Sequence, residues 1–203
     1  MAYAAYVFDA YGTLFDVHSA VRRHAEAVGP EYSWTRALMG QWRDFWALTE
    51  EALDHAFERI PSADKSLKPQ LLEAYFKLDC YPEVPAVLKT LKATGARVAI
   101  LSNGSVPMLD SAVRNAALDT VIDDVFSVDE LKTFKTDPAV YDMVTTAYRL
   151  YPGAVSFQSS NRWDVAGATK FGFRTVWINR AKMPDEYRDL SPSLILPDLN
   201  GVE

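Results

Sequence analysis

The sequence predicts an α/β protein: a mostly parallel sheet covered on both faces, with a helical insert after its first strand. Two patterns lead there. Short apolar runs alternate with helical stretches from about residue 84 onward, as strand–helix–strand units do. Residues 17–83 break that rhythm with aromatic and aliphatic residues at helical spacing and no convincing strand. At 203 residues the chain is long enough for one sizeable core and a small accessory domain. The division expected is 1–16 and 84–203 for the core, and 17–83 for the insert.

Taken in order, residues 4–8 (AAYVF) form the first strand, which stops at Asp9 and meets a Gly12-Thr13 pair. In the insert, Trp34, Leu38, Trp42, Phe45 and Trp46 recur at helical spacing; Leu53 and Phe57 extend that face, and Leu71, Leu72, Tyr75 and Phe76 open another. Pro82 and Pro85 mark the return to the core. Residues 86–94 read as a helix stopped near Gly95, and 97–101 (RVAIL) as a strand. Pro107 sits in the first turn of a helix over 107–118. Residues 125–128, 154–157 and 175–178 read as further strands. Asp137 as N-cap with Pro138 at the first helical position starts a helix over 138–150. The Pro-rich tail from Met183 gives one weak strand at 194–196.

Composition narrows the function. A net charge of −6 argues against a nucleic-acid or acidic-membrane partner, though a small anion could still meet a local cation or backbone amides. Cys80 is the only cysteine, which rules out an intrachain disulfide and favours a reducing compartment. No apolar run approaches the roughly 18 residues of a membrane span, and the N-terminus has no export-signal pattern. The expectation is a cytoplasmic protein without a membrane partner.

In parallel α/β sheets the ligand lies at the carboxyl ends of the strands. Asp9 ends the first strand, Ser102-Asn103-Gly104 the second, and Ser159-Ser160-Asn161 the strand at 154–157, with Asp164 shortly after; Lys135 stands just before a helix start. Singly these are turn, cap or surface residues: Asp164, for example, could be the N-cap of the helix through Phe171. Together they could converge on one rim.

These residues also carry a resemblance. The run DAYGTL at 9–14 resembles the first motif of the haloacid dehalogenase superfamily, and Ser102-Asn103-Gly104, Lys135 and the run from Ser159 to Asp164 resemble its later motifs. The stretches FDAYGTLFDV, YSWTRALMG, DFW and SSNRWDVAGA are similar to the L-2-haloacid dehalogenases within it. The resemblance implies a Rossmann-like core with a helical cap inserted after the first strand, and a homodimer.

Tyr11 separates the reaction types. The superfamily's phosphatases carry a second acid two residues after the nucleophile, to protonate an alkoxide, and Mg²⁺ held by carboxylates. Here that place holds Tyr11, and Ser159 and Asn161 stand where acidic metal ligands would be expected. A halide leaves as a stable anion and needs neither. The resemblance therefore implies metal-independent, cofactor-free hydrolysis of a small (S)-2-haloacid, with Asp9 displacing halide to form an ester that water then hydrolyses. It implies that Lys135 orients Asp9 and balances its charge. Asp164 would serve the hydrolytic water, held by Ser159, Asn161 and Lys135. Ser102 and amides near Tyr11 would bind the substrate carboxylate, and Asn103 would face the halide ion. Phe45 and Trp163 would form an apolar wall, while Thr13 and Tyr141 match polar positions of the site.

The match has gaps. Only 15 residues separate Asp16 from Tyr32, and the segment that should carry the arginine of the halide cradle is missing. Arg22 and Arg23 could substitute, and Arg36 matches another arginine of the pattern. Thr136 stands where proline is common, and Gln158 in a run that is usually apolar. Two alternatives stay open at this level: a Mg²⁺-dependent phosphatase, and a weakly active or non-catalytic protein that keeps the fold.

Overall fold

The computed structural model describes residues 3–16 and 38–202. Its centre is a six-stranded, wholly parallel sheet made of β1 (Ala5–Phe8), β2 (Arg97–Ser102), β3 (Asp124–Ser127), β4 (Val155–Ser159), β5 (Arg174–Ile178) and β6 (Leu194–Leu196). The spatial order is β3-β2-β1-β4-β5-β6, so the chain winds outward in both directions from β1. The weak strand of the tail is a true edge strand.

Side chains alternate across a strand, so β1 faces both ways. Tyr6 and Phe8 pack with Val98, Ile100, Val176 and Ile178 beneath α3 (Val84–Ala93) and α4 (Val106–Asn115), whose Leu88, Leu91, Leu109 and Ala112 are buried. Ala5 and Val7 pack with Ala99, Leu101, Val155 and Phe157 beneath α5 (Pro138–Tyr148), which contributes Val140, Tyr141 and Val144, and α6 (Arg162–Phe171), which contributes Ala168. The same alternation sends Asp9, next but one after Val7, to the α5/α6 face. Ser159 follows Phe157 on β4 in the same way, and Asn103 follows Leu101 on β2. The sheet therefore aims three polar side chains at one corner.

Helix starts follow local chemistry. Pro138 stands in the first turn of α5, where its missing N–H is no loss, and the Asp137 carboxylate accepts from the Ala139 N–H at 2.9 Å. α6 is different: Asn161 holds the cap position and Asp164 lies inside the first turn.

Between β1 and α3 the described chain carries α1 (Phe45–Arg59), a 3₁₀ turn at Lys65–Leu67, and α2 (Lys68–Ala74). α1 buries Leu48, Ala52, Leu53, Ala56 and Phe57. Among the described residues, the helical spacing of Leu38, Trp42, Phe45 and Trp46 is interrupted: Gly40 adopts a positive φ of 72° and the chain runs irregularly until Asp44 caps α1. Leu38 is 90% exposed, while Trp42 packs on Phe134 at 6.4 Å between ring centroids. Trp34, Arg22, Arg23, Arg36 and Tyr32 lie outside the described residues.

The outgoing and returning chains run side by side. Phe15 and Cys80 form an antiparallel bridge, Tyr81 N–H donates to the Leu14 carbonyl at 3.0 Å, and Asp16 N–H to that of Asp79 at 2.9 Å. No helix among the described residues is long and apolar enough to cross a membrane.

Candidate active site

Asp9 lies beyond the carboxyl end of β1 and is 6% exposed. Its N–H continues the sheet ladder to the Gln158 carbonyl at 2.9 Å, which fixes the backbone beneath the side chain. The next turn depends on Gly12, with φ of 79°; a Cβ there would also stand 2.9 Å from Ser160 Oγ. That turn brings the Thr13 hydroxyl back onto the carboxylate.

Both oxygens of Asp9 are held. Oδ1 accepts from Lys135 Nζ at 3.1 Å; Oδ2 accepts from Asn161 Nδ2 at 3.0 Å and Thr13 Oγ1 at 3.3 Å. The Thr13 hydroxyl in turn accepts from Ser160 N–H at 2.8 Å, which leaves its proton for Asp9. Lys135 is fully buried and lies 2.9 Å from Asp164 Oδ2 as well, so one ammonium bridges two carboxylates. It stands 5.1 Å from the Phe157 ring centroid, a further favourable contact for a cation.

Asp164 is fully buried. Its Oδ1 accepts from the Tyr141 hydroxyl at 3.0 Å, and Ser159 hydrogen-bonds the same carboxyl. Ser159 also accepts from Asn161 N–H at 3.1 Å. Burial pushes the Asp164 carboxyl up to about 6; Lys135 pulls it down and the like charge of Asp9 adds to the rise. For Lys135, burial alone would lower the pKa, but Asp164 and Asp9 outweigh it and the ammonium is held above the usual lysine range. A charged lysine beside a carboxyl that titrates near neutrality is an arrangement suited to moving a proton to and from water.

Gly167 lets α5 and α6 close on this centre. A Cβ at that position would lie 2.6 Å from both Tyr141 Oη and Thr136 Cγ2. Gly167→Ala should gain about 1 kcal/mol of helix propensity but lose about 1–3 kcal/mol to overpacking, and displace the Tyr141 hydroxyl from Asp164. The expected result is a lower melting temperature and slower turnover. A stabilised variant with full activity would contradict this packing account.

The second rim is formed by the turn after β2. Asn103 Oδ1 accepts from Lys135 N–H at 2.9 Å, so its amide nitrogen is presented as a donor. Ser102 Oγ accepts from Gly104 N–H at 3.0 Å, which frees the hydroxyl proton to donate elsewhere. Tyr11 stacks on Phe45 with centroids 5.7 Å apart and meets Tyr75 edge-on at 6.4 Å. Met108 joins this aromatic cluster. Burial, then Tyr75 and Asp9, push the Tyr11 phenol far above its usual range; burial brings Tyr75 to about 12. Both phenols are neutral at any physiological pH.

Eleven of the twelve residues singled out from sequence thus meet at one end of the sheet. Trp163 lies on the neighbouring flank, where it lines a recess of about 530 Å³ with Pro138, Phe171, Tyr187 and Leu190. Its neighbour Arg162 meets the same tail segment: the guanidinium pairs with Asp185 at 2.6 Å, donates to the carbonyls of Tyr187 and Leu190, and fastens the tail to α6. Sequence reasoning missed Tyr75 and Met108 as neighbours of Tyr11; each carried only a signal of helix packing.

A parallel α/β protein with a carboxylate–ammonium–carboxylate centre at its strand ends is the class these features define. The chain belongs to the haloacid dehalogenase-like hydrolase family, whose model matches residues 3–172. It is 48% identical to (S)-2-haloacid dehalogenase 4A of Burkholderia cepacia over 90% of this chain and 86% of that protein. It is 47% identical to (S)-2-haloacid dehalogenase 1 of Pseudomonas sp. strain CBS-3, over 90% and 87%. Among solved structures, that of the L-2-haloacid dehalogenase of Xanthobacter autotrophicus with covalently bound chloropropionic acid superposes with a TM-score of 0.79. The two are 33% identical, over 97% of this chain and 95% of that one.

Proposed function

We propose that this hydrolase converts small (S)-2-haloacids to (R)-2-hydroxy acids through an ester on Asp9. The observation that carries the proposal is the Lys135 ammonium lodged between Asp9, at 3.1 Å, and Asp164, at 2.9 Å. It supplies in fixed form the positive charge that a phosphatase takes from a metal ion. The donor set does not fit Mg²⁺: the ammonium occupies the space between the carboxylates, and among the described residues no three His, Cys, Asp or Glu side chains cluster as metal ligands. Nor does Tyr11 supply the second carboxyl that phosphoester chemistry would use. The named activity of the relatives and the covalent complex of a structural neighbour support the same reading.

In the first step an oxygen of Asp9 attacks C2, the carbon–halogen bond breaks, C2 inverts, and halide departs as the anion. Ser102 and backbone amides near Tyr11 hold the substrate carboxylate; the Asn103 amide donates to the halide. Tyr11 and Phe45 wall the alkyl group and keep water from the nucleophile. In the second step water attacks the Asp9 carbonyl carbon. Asp164 takes the water's proton and passes it to the departing product oxygen, with Tyr141, Ser159 and Lys135 holding Asp164 in place. The product is released with C2 inverted, and the second proton of the water leaves Asp9 for solvent, which restores the carboxylate. Trp163, expected beside Phe45 in the apolar wall, lines the recess on the neighbouring flank instead.

Around this chemistry we place residues 17–83 as a helical cap on a core of 1–16 and 84–203, supported by the paired linkers at Phe15 and Cys80. The single cysteine supports work in the cytoplasm. Homodimer assembly is carried over from the resemblance.

The test is halide release from (S)- and (R)-2-chloropropanoate. Halide and (R)-lactate from the S-acid, with at least about 100-fold less from its mirror image, is expected; this is about 2.7 kcal/mol of discrimination. Release from neither acid would overturn the reading. The rate should fall as pH drops through about 6, because Asp164 is a base only when ionised. Its stability effect runs the other way: a carboxyl whose pKa is raised on folding stabilises the fold below its unfolded value near 3.8, and loses that contribution as pH rises to about 6. Acid loss of activity should therefore precede acid unfolding.

A further inference from the structure

Arg180 stands two residues beyond β5, distant in sequence from every group above. Its side chain is 15% exposed and makes three contacts. Nη2 donates to the Thr13 carbonyl at 3.0 Å and to Glu83 Oε1 at 2.6 Å, and the guanidinium carbon lies 3.7 Å from the Tyr81 ring centroid. Glu83 Oε1 also accepts from Leu199 N–H at 3.4 Å. Three segments thus meet on one cation: the nucleophile loop, the chain returning from the insert, and the end of β5.

The Thr13 bond gives this junction a consequence for chemistry. Thr13 is gripped at both ends: its hydroxyl lies between Ser160 N–H and Asp9 Oδ2, and its carbonyl is held by Arg180. Fixing the carbonyl limits rotation of the peptide that carries the hydroxyl. Of the two donors to Asp9 Oδ2, Asn161 comes from across the site, and Thr13 comes from a loop turned sharply at Gly12. That loop needs an external anchor to hold a hydrogen bond in register. Arginine suits the task because a planar fork can reach a carbonyl and a carboxylate together while its face stacks on a ring.

We propose that Arg180 is a positioning residue for the displacement step, acting through Thr13 on the aim of Asp9; the inference rests on the reaction proposed above. Displacement needs the oxygen, C2 and halogen in line, and a misplacement of about 1 Å can cost about 10²-fold. The link between Arg180 and Glu83 makes the return from the insert part of the same support.

The test compares Glu83→Gln with the double variant Arg180→Met/Glu83→Gln, so that no carboxylate is left alone. Arg180→Lys is the conservative control. Steady-state halide release is measured with the (S)-2-chloro and (S)-2-bromo acids, and the unfolding enthalpy per mole counts folded chains. Relative to Glu83→Gln, the double variant should keep its unfolding enthalpy and a KM within about threefold, and lose about tenfold or more in kcat. The bromo-to-chloro ratio of kcat should rise, because a slowed displacement becomes more sensitive to the leaving group. Arg180→Lys should fall between the double variant and the unaltered protein. An unchanged kcat, a kcat that falls only with the folded fraction, or a lower kcat with an unchanged halogen ratio would overturn the inference. An unaltered protein that releases no halide would instead overturn the reaction itself.

Discussion

Asp9→Asn should abolish sustained halide release, with turnover lower by roughly 10⁴-fold or more, as loss of a covalent nucleophile costs elsewhere. The change is nearly isosteric, and the strand beneath is held by its own ladder bond to the Gln158 carbonyl. The amide oxygen still accepts hydrogen bonds but is a poor nucleophile toward saturated carbon. The loss should therefore appear in kcat with little change in circular dichroism. Halide released at an undiminished rate by a homogeneous preparation of the Asp9→Asn variant would remove Asp9 from the chemistry.

Lys135→Met should be nearly as severe, and it should also affect stability. Methionine fills much of the same volume but leaves Asp9 and Asp164 facing each other without the ammonium that now touches both. Breaking a buried ion pair costs roughly 3–5 kcal/mol when one charge stays behind uncompensated. Protonation of a carboxyl relieves part of that. The raised pKa of Lys135 means that its stabilising charge is present throughout the neutral range and is lost only as pH rises above the usual lysine value. The variant should consequently be most destabilised near pH 8 and least near pH 5. Without its cation the Asp164 carboxyl should climb from about 6, moving the acid limb of activity upward. Turnover should fall by about 10³-fold. A fully active Lys135→Met with an unmoved acid limb would show that the ammonium has no part in the reaction.

The sheet was legible in the sequence because each strand is a short apolar run closed by turn chemistry, and the two-residue alternation reaches from Val7 to Asp9 and from Phe157 to Ser159. The rim residues could be named for the same reason, since strand ends are where such sheets place ligands. What bridges them was not legible from pattern. Lys135 meets Asp9 across 126 positions of chain, and only the resemblance paired them. The insert misled at Gly40: spacing alone marks an apolar face, but a positive φ there ends the helical path. Trp163 and Asp164 share a motif, yet Asp164 meets Lys135 while Trp163 lines the neighbouring recess, because adjacent residues on a helix lie about 100° apart. Arg180 carried no local signal, since its partners Thr13 and Glu83 are 167 and 97 positions away.

The central claim is that an oxygen of Asp9 bonds to C2 and that water enters later, at the Asp9 carbonyl carbon. A single turnover in ¹⁸O-water, with enzyme in excess over (S)-2-chloropropanoate, tests it by mass spectrometry of the lactate and of the peptide carrying Asp9. The account predicts unlabelled lactate and one ¹⁸O atom in the Asp9 carboxylate. Labelled lactate beside an unlabelled Asp9 peptide would mean that water attacked C2 directly, and would contradict it.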